Sequence, residues 1–237
     1  MKTANGKTPK IKISTETPST DSSVKVVVLI SGGGTNLQAL IDAHLRGELP
    51  VTFAAVISNR SDAYGLQRAQ RVGIETRVLD HRGFDSRASF DRALMSIIDS
   101  YQPQLVILAG FMRILTPALV THFKGRMLNI HPSLLPKYQG LCTHQRALDA
   151  GDNEHGTTVH FVTEELDGGP SVIQARVPIL PNDDAETLAQ RVLRQEHRIY
   201  PMAVKWFAEA RLKMENGKTW LDGEPLPKTG YLIEERR

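Results

Sequence analysis

Val24-Lys25-Val26-Val27-Val28-Leu29-Ile30 runs directly into Ser31-Gly32-Gly33-Gly34-Thr35-Asn36-Leu37-Gln38, and that junction decides the fold class. The first seven residues are mostly β-branched and apolar with little polar alternation, the pattern of a strand buried on both faces of a parallel sheet. Three glycines then turn the chain, and Leu37, Leu40 and Ile41 return at helical spacing. Thr35 with Gln38 three residues later has the form of a capping box, which predicts a helix start.

Outward from this junction the alternation continues. Strands are predicted at Thr52 to Ser58, Thr76 to Leu79, Leu105 to Leu108 and Arg126 to Ile130, with helices at Ala63 to Arg71 and Ser86 to Ser100. Such a series implies a mostly parallel twisted sheet with helices on both faces, an α/β Rossmann-like class. Beyond His155 the pattern changes. Thr157 to Thr163 and Ser171 to Ile179 flank the turn Asp167-Gly168-Gly169-Pro170 and predict an antiparallel, hairpin-like addition to the sheet. Ala185 to Ala208 carries apolar residues at helical spacing over its whole length and predicts a long packed helix. Residues 211–237 read as peripheral.

Composition narrows the class of partner. The 237 residues are 41% hydrophobic and 23% charged, ordinary for a globular protein, and they suffice for one sizeable domain. The longest apolar run, Leu105 to Met112, is far shorter than the roughly 18 residues a membrane span requires, so no membrane partner is expected. Of the net charge of +3, residues 1–23 supply +2 from four lysines against two acids. That Ser/Thr-rich tail is read as disordered, and residues 24–237 as a single domain. No basic and aromatic stripe accompanies the charge, so no nucleic-acid partner is expected. The single Cys142 forms no intrachain disulfide and suits a reducing, cytoplasmic setting.

The chemistry concentrates in Asn129-Ile130-His131-Pro132-Ser133-Leu134-Leu135-Pro136 and in Glu165-Leu166-Asp167-Gly168-Gly169. Asn129 and His131, two apart on a strand, point to one face. An amide donor, an imidazole and a carboxylate are what acyl transfer needs, because a carbonyl oxygen becomes an oxyanion while protons move. Glycines 32–34, between a strand and a helix start, read either as a tight turn or as a cradle for a phosphate, and their number favours phosphate. Neither the Walker pattern nor a full dinucleotide fingerprint is present. The segment from Leu108 to Leu115 reads equally as a buried turn or as one wall of an apolar ligand slot. His144, His155, His160 and Cys142 fit no usual zinc spacing, so no metal is expected.

Taken with Ala109-Gly110-Phe111-Met112-Arg113, these motifs closely resemble the phosphoribosylglycinamide formyltransferases, folate-dependent enzymes of purine synthesis. The resemblance runs from about Val24 to about Tyr231. The histidine stretch is shared by several formyltransferases that use 10-formyltetrahydrofolate, and the glycine loop ending in Thr35-Asn36 points to the small-substrate branch. By motif, the resemblance implies a catalytic trio of Asn129, His131 and Asp167. It implies contacts to glycinamide ribonucleotide from Gly34, Thr35, Asn36 and Glu196. Its folate pocket falls on Arg87, Met112, Arg113, Ile114, Leu115, Asn129, Thr163, Glu164, Glu165, Leu166 and Asp167. Residues 24–125 would then form the phosphate-substrate half and 126–237 the catalytic and folate half, with 10-formyltetrahydrofolate as co-substrate and the chain a monomer or a homodimer. Family members often carry histidine where this chain has Cys142. A transferase acting on initiator methionyl-tRNA, a hydrolase of the same folate and an inactive phosphate-binding scaffold are the rivals. The first two relatives normally carry an extra domain that this chain is expected to lack.

Overall fold

The computed structural model describes residues 23–234, so the tail expected to be disordered lies, in its residues 1–22, outside the described part. An eight-stranded sheet has the order β11-β7-β6-β5-β4-β1-β2-β3. Its strands are β1 (Val24–Ile30), β2 (Val51–Ser58), β3 (Thr76–Val78), β4 (Leu105–Leu108), β5 (Met127–His131), β6 (Glu154–Phe161), β7 (Ser171–Pro178) and β11 (Tyr231–Glu234). Helices α1 (Thr35–Leu45), α2 (Tyr64–Arg71), α3 (Arg87–Ser100), α4 (Pro117–His122), α5 (Thr143–Asp149) and α6 (Ala185–Ala208) connect and cover them. β6 is antiparallel to both β5 and β7, whereas β11 pairs with β7 in parallel. The expected fold class therefore holds, antiparallel addition included.

The unbroken apolar run of β1 has a direct cause. Val26, Val28 and Ile30 pack into one core with residues of α1, α2 and α6, while Val27 and Leu29 enter a second core with Phe90, Leu94 and Ile98 of α3. From Val26 to Ile30 both faces of the strand are dry, so polar Lys25 stands only at its half-buried start. Tyr200, fully buried on α6, aims its hydroxyl at the carbonyls of Leu108 (2.8 Å) and Leu128 (3.1 Å) and ties that helix across β4 and β5.

Two local readings are corrected. The N-cap of α1 is Gly34 in left-handed backbone (φ 69°) with no side-chain cap, and Gln38 instead bonds Asp42 and Arg68. Thr35 and Gln38 therefore form no capping box. The reason is space, because a Cβ on Gly34 would lie 2.6 Å from Gly65 Cα, at the start of α2. Residues after α6 are also less peripheral than expected. β8 (Leu212–Glu215), β9 (Lys218–Leu221) and β10 (Glu224–Pro225) make a small antiparallel sheet, and β11 joins the main one.

The Gly34–Gly65 contact yields a test. A Cβ on Gly65 would meet Ile30 Cδ1 at 2.5 Å and Gly34 Cα at 3.2 Å. Gly65→Ala is expected to cost about 1–3 kcal/mol of stability through overpacking, read from urea unfolding. An unchanged midpoint would show that the two turns are free to separate.

Candidate active site

Strand order reverses between β1 and β4, and in open α/β sheets the crevice at such a point, beyond the carboxyl ends of the strands, takes the ligand. The glycine loop leaves β1 there, and the 109–115 segment leaves β4. β4 ends at Leu108, opposite Asn129, so β5 runs two residues further and His131 stands past the end of its neighbour.

Asn129 is oriented by a residue that sequence reasoning treated only as a metal candidate. His160 lies directly across the β5–β6 ladder from it. His160 Nδ1 lies 2.9 Å from the Phe161 carbonyl, which can only accept, so Nδ1 carries the proton and Nε2 is a bare acceptor. Asn129 Nδ2 sits 3.1 Å from that Nε2 and donates to it. This leaves the second N–H of the amide for another acceptor. Burial pushes the His160 ring below its ordinary titration range, which keeps it neutral and in this role. The sequence places His160 on a predicted strand, but its pairing with Asn129 is set by the cross-strand register.

His131 and Asp167 are in contact. His131 Nδ1 is 3.4 Å from Asp167 Oδ2, and both side chains are less than a tenth exposed. His131 Nε2 is 2.8 Å from the Tyr138 carbonyl. Each ring nitrogen thus faces an acceptor, and a ring protonated on both finds a partner for each proton. The same Asp167 oxygen accepts the Gly140 N–H at 2.9 Å, and Asp167 Oδ1 lies 3.8 Å from His160 Nε2. Asp167 sits in left-handed backbone (φ 51°), a conformation that Asp tolerates better than most residues. Behind it Gly169 is required, because a Cβ there would collide with the Phe161 carbonyl oxygen. The loop that follows His131 is pinned by buried polar groups. Thr158 Oγ1 donates to the Ser133 carbonyl (2.6 Å), Thr157 Oγ1 to that of His131 (3.0 Å) and Gln174 Nε2 to that of Leu135 (2.7 Å).

A cleft of about 110 Å³ opens beside Asn129 and His160, lined by residues 113–115 on one side and 163–167 on the other. Arg113, Ile114, Leu115, Thr163, Glu164, Glu165, Leu166 and Asp167 all line it, Leu108 and Phe111 of the 108–115 segment supply apolar wall, and Val162 is a wall residue the sequence did not indicate. Arg87 and Met112 do not line it. Arg87 begins α3 and is exposed, and Met112 is exposed on its loop. On the other side of the crevice, Asn36 Nδ2 donates to Glu196 Oε2 at 2.7 Å across 160 residues of sequence. Burial pushes the Glu196 carboxyl up, and Asn36 Oδ1 is buried without a partner. Gly34 and Thr35 adjoin Asn36 at the uncapped N-terminus of α1, where backbone N–H groups and the helix dipole favour an anion. Cys142 is exposed at the N-cap of α5, and its loop reaches Asp167 through the Gly140 N–H. Among the described residues no cluster of three or more His, Cys, Asp or Glu is placed to hold a metal ion, and no helix is long and apolar enough to cross a membrane.

Behind the site, His144 and His155 meet edge to face with ring centroids 5.2 Å apart. Burial lowers both, His155 to about 4. The unfolded chain takes up these protons near ~6.5 while the fold resists them, so the stabilisation is full above that pH and is lost as pH falls towards 4. The melting temperature is expected to drop between pH 7 and pH 5, and the drop is smaller in His155→Gln. An equal drop in the variant would assign the acid sensitivity elsewhere.

Residues 24–204 match the formyl transferase family profile. The phosphoribosylglycinamide formyltransferase of Escherichia coli K12 is 56% identical over 212 residues, covering 90% of this chain and all of that one. The trifunctional purine biosynthetic protein adenosine-3 of Bos taurus is 44% identical over 82% of this chain, which corresponds to 19% of its own length. Among solved structures, the phosphoribosylglycinamide formyltransferase of Coxiella burnetii superposes with a TM-score of 0.86 at 55% identity, over 89% of this chain and 99% of that one. The chain belongs to the formyl transferase family and, within it, to the phosphoribosylglycinamide formyltransferases.

Proposed function

We propose that the chain moves a formyl group from N10 of 10-formyltetrahydrofolate to the free amine of glycinamide ribonucleotide, with Asn129, His131 and Asp167 as its catalytic residues. The observation that carries the residue assignment is the contact between His131 and Asp167 beside an amide whose second N–H is uncommitted. The amine lone pair attacks the formyl carbon and the carbonyl oxygen takes up negative charge. Asn129 donates its remaining N–H to that oxygen, and His131 presents its Nδ1 edge to Asp167. As the carbon–N10 bond breaks, a proton from the attacking nitrogen reaches N10 by way of a water that Asp167 orients. No covalent enzyme intermediate is formed.

The two substrates divide the crevice. The phosphate of the ribonucleotide sits at Gly34, Thr35 and Asn36, where the α1 dipole favours an anion, and Glu196 takes the ribose. The ring head of the folate enters the cleft between residues 113–115 and 163–167. A cleft of about 110 Å³ is smaller than the ~300–1,000 Å³ that encloses a whole ligand of this kind. The rest of the folate therefore lies outside it, where Arg87 and Met112 are exposed contacts.

An absorbance assay of folate deformylation, with and without glycinamide ribonucleotide, tests the reading. Strict dependence on the amine is expected. Product formed with water alone would make the chain a hydrolase, and no product at all would make it a scaffold.

A further inference from the structure

We propose that Ser31 is a positioning residue that couples the two substrate loops, so that each substrate tightens the binding of the other. The proposal rests on the assignment of the glycine loop to the ribonucleotide and of the 111–115 loop to the folate.

Ser31 is the residue between β1 and the glycine loop, and it is 6% exposed. Its hydroxyl is used twice. It donates to Asn59 Oδ1 at 2.6 Å, and it accepts the backbone N–H of Met112 at 2.8 Å. Its own N–H donates to the Gly110 carbonyl at 3.1 Å. Asn59 follows β2 and is itself buried, with Nδ2 3.2 Å from His81 Nδ1. A hydrogen-bonded chain thus crosses the carboxyl ends of β2, β1 and β4, three strands adjacent in the sheet.

The two loops joined by this chain serve different ligands. Gly32, one residue after Ser31, accepts the Gly65 N–H, and Gly33 accepts Arg68 Nε, so the glycine loop is held from α2 on its other side. Met112, by contrast, opens the segment that walls the folate cleft. At its far end that segment is held by Asp91, buried on α3, whose Oδ2 accepts the Thr116 N–H. Its near end depends on Ser31. A phosphate that orders the glycine loop fixes the Ser31 hydroxyl and with it the start of the folate wall. By linkage, folate must order the phosphate loop to the same degree.

The test measures dissociation constants calorimetrically for glycinamide ribonucleotide and for tetrahydrofolate, each alone and each in the presence of the other. In the wild-type chain each ligand is expected to tighten the other by roughly fivefold or more. In Ser31→Ala, which leaves the Met112 N–H and Asn59 Oδ1 without this partner, the mutual effect falls towards onefold. The KM for the folate then rises more than kcat falls. Ser31→Cys keeps the size and weakens the hydrogen bonds, so it carries the test if the alanine variant fails to fold. Mutual tightening retained in the variants overturns the proposal, as does independent binding of the two ligands to the wild type. Should neither ligand bind the wild type, the functional assignment falls together with the coupling.

Discussion

Asp167→Asn is expected to lower kcat by about 10²–10³-fold, a loss of the size seen when one preorganised polar group at a reacting centre is removed. The KM of either substrate should move by much less. The substitution is nearly isosteric and asparagine tolerates the positive φ of this turn, so the backbone stays in place and the charge alone is removed. Asp167 Oδ2 serves two donors, the Gly140 N–H and the His131 ring. An amide can offer its one oxygen to these donors only without a full charge, or else turn its NH₂ towards them. Either way the His131 ring loses the anion beside it. Steady-state kinetics across pH 6–8, with circular dichroism to confirm the fold, checks the expectation. Wild-type turnover throughout that range would remove Asp167 from the mechanism.

The second large effect is expected at Asn129. Asn129→Ala removes the amide donor and should also cost about 10²–10³ in kcat. His160 makes a sharper experiment possible, because its bare Nε2 holds the amide in orientation. His160→Leu should give a smaller loss of kcat, since the amide survives but rotates. In the double variant the His160 change should add almost nothing, because residues that act through one group are not additive. Single-turnover rates of the four proteins close the cycle. Full additivity would show that His160 acts independently of Asn129.

The fold was legible where one physical requirement dominated. The junction of β1 with the glycine loop could be read because a strand buried on both faces admits few polar residues. The hairpin from Leu212 to Leu221 also had its signal. Asn216-Gly217 and Asp222-Gly223 take positive φ at both residues, as two-residue turns between strands demand, yet the strands are four residues or fewer and too short to show an alternation. The capping box failed for the opposite reason. Thr35 and Gln38 had the right spacing, but the contact of Gly34 with Gly65 selected a different start for α1. In the site, Asn129 and His131 followed from spacing along one strand. Glu196 could come only from family resemblance, because its meeting with Asn36 is a product of the chain's topology and leaves no local trace. His160 was visible as a residue but not as a partner, since cross-strand register cannot be read from one strand.

The parallel pairing of β11 with β7 bears on how the chain can be shortened. β7 is mostly buried, with Val172, Ile173, Ala175 and Val177 at 1% exposure or less. With β11 in place its outer hydrogen-bonding groups are matched from Tyr231 to Glu234. A version truncated after Ala208 would present that strand bare to solvent, a ready template for association with other copies and for insolubility.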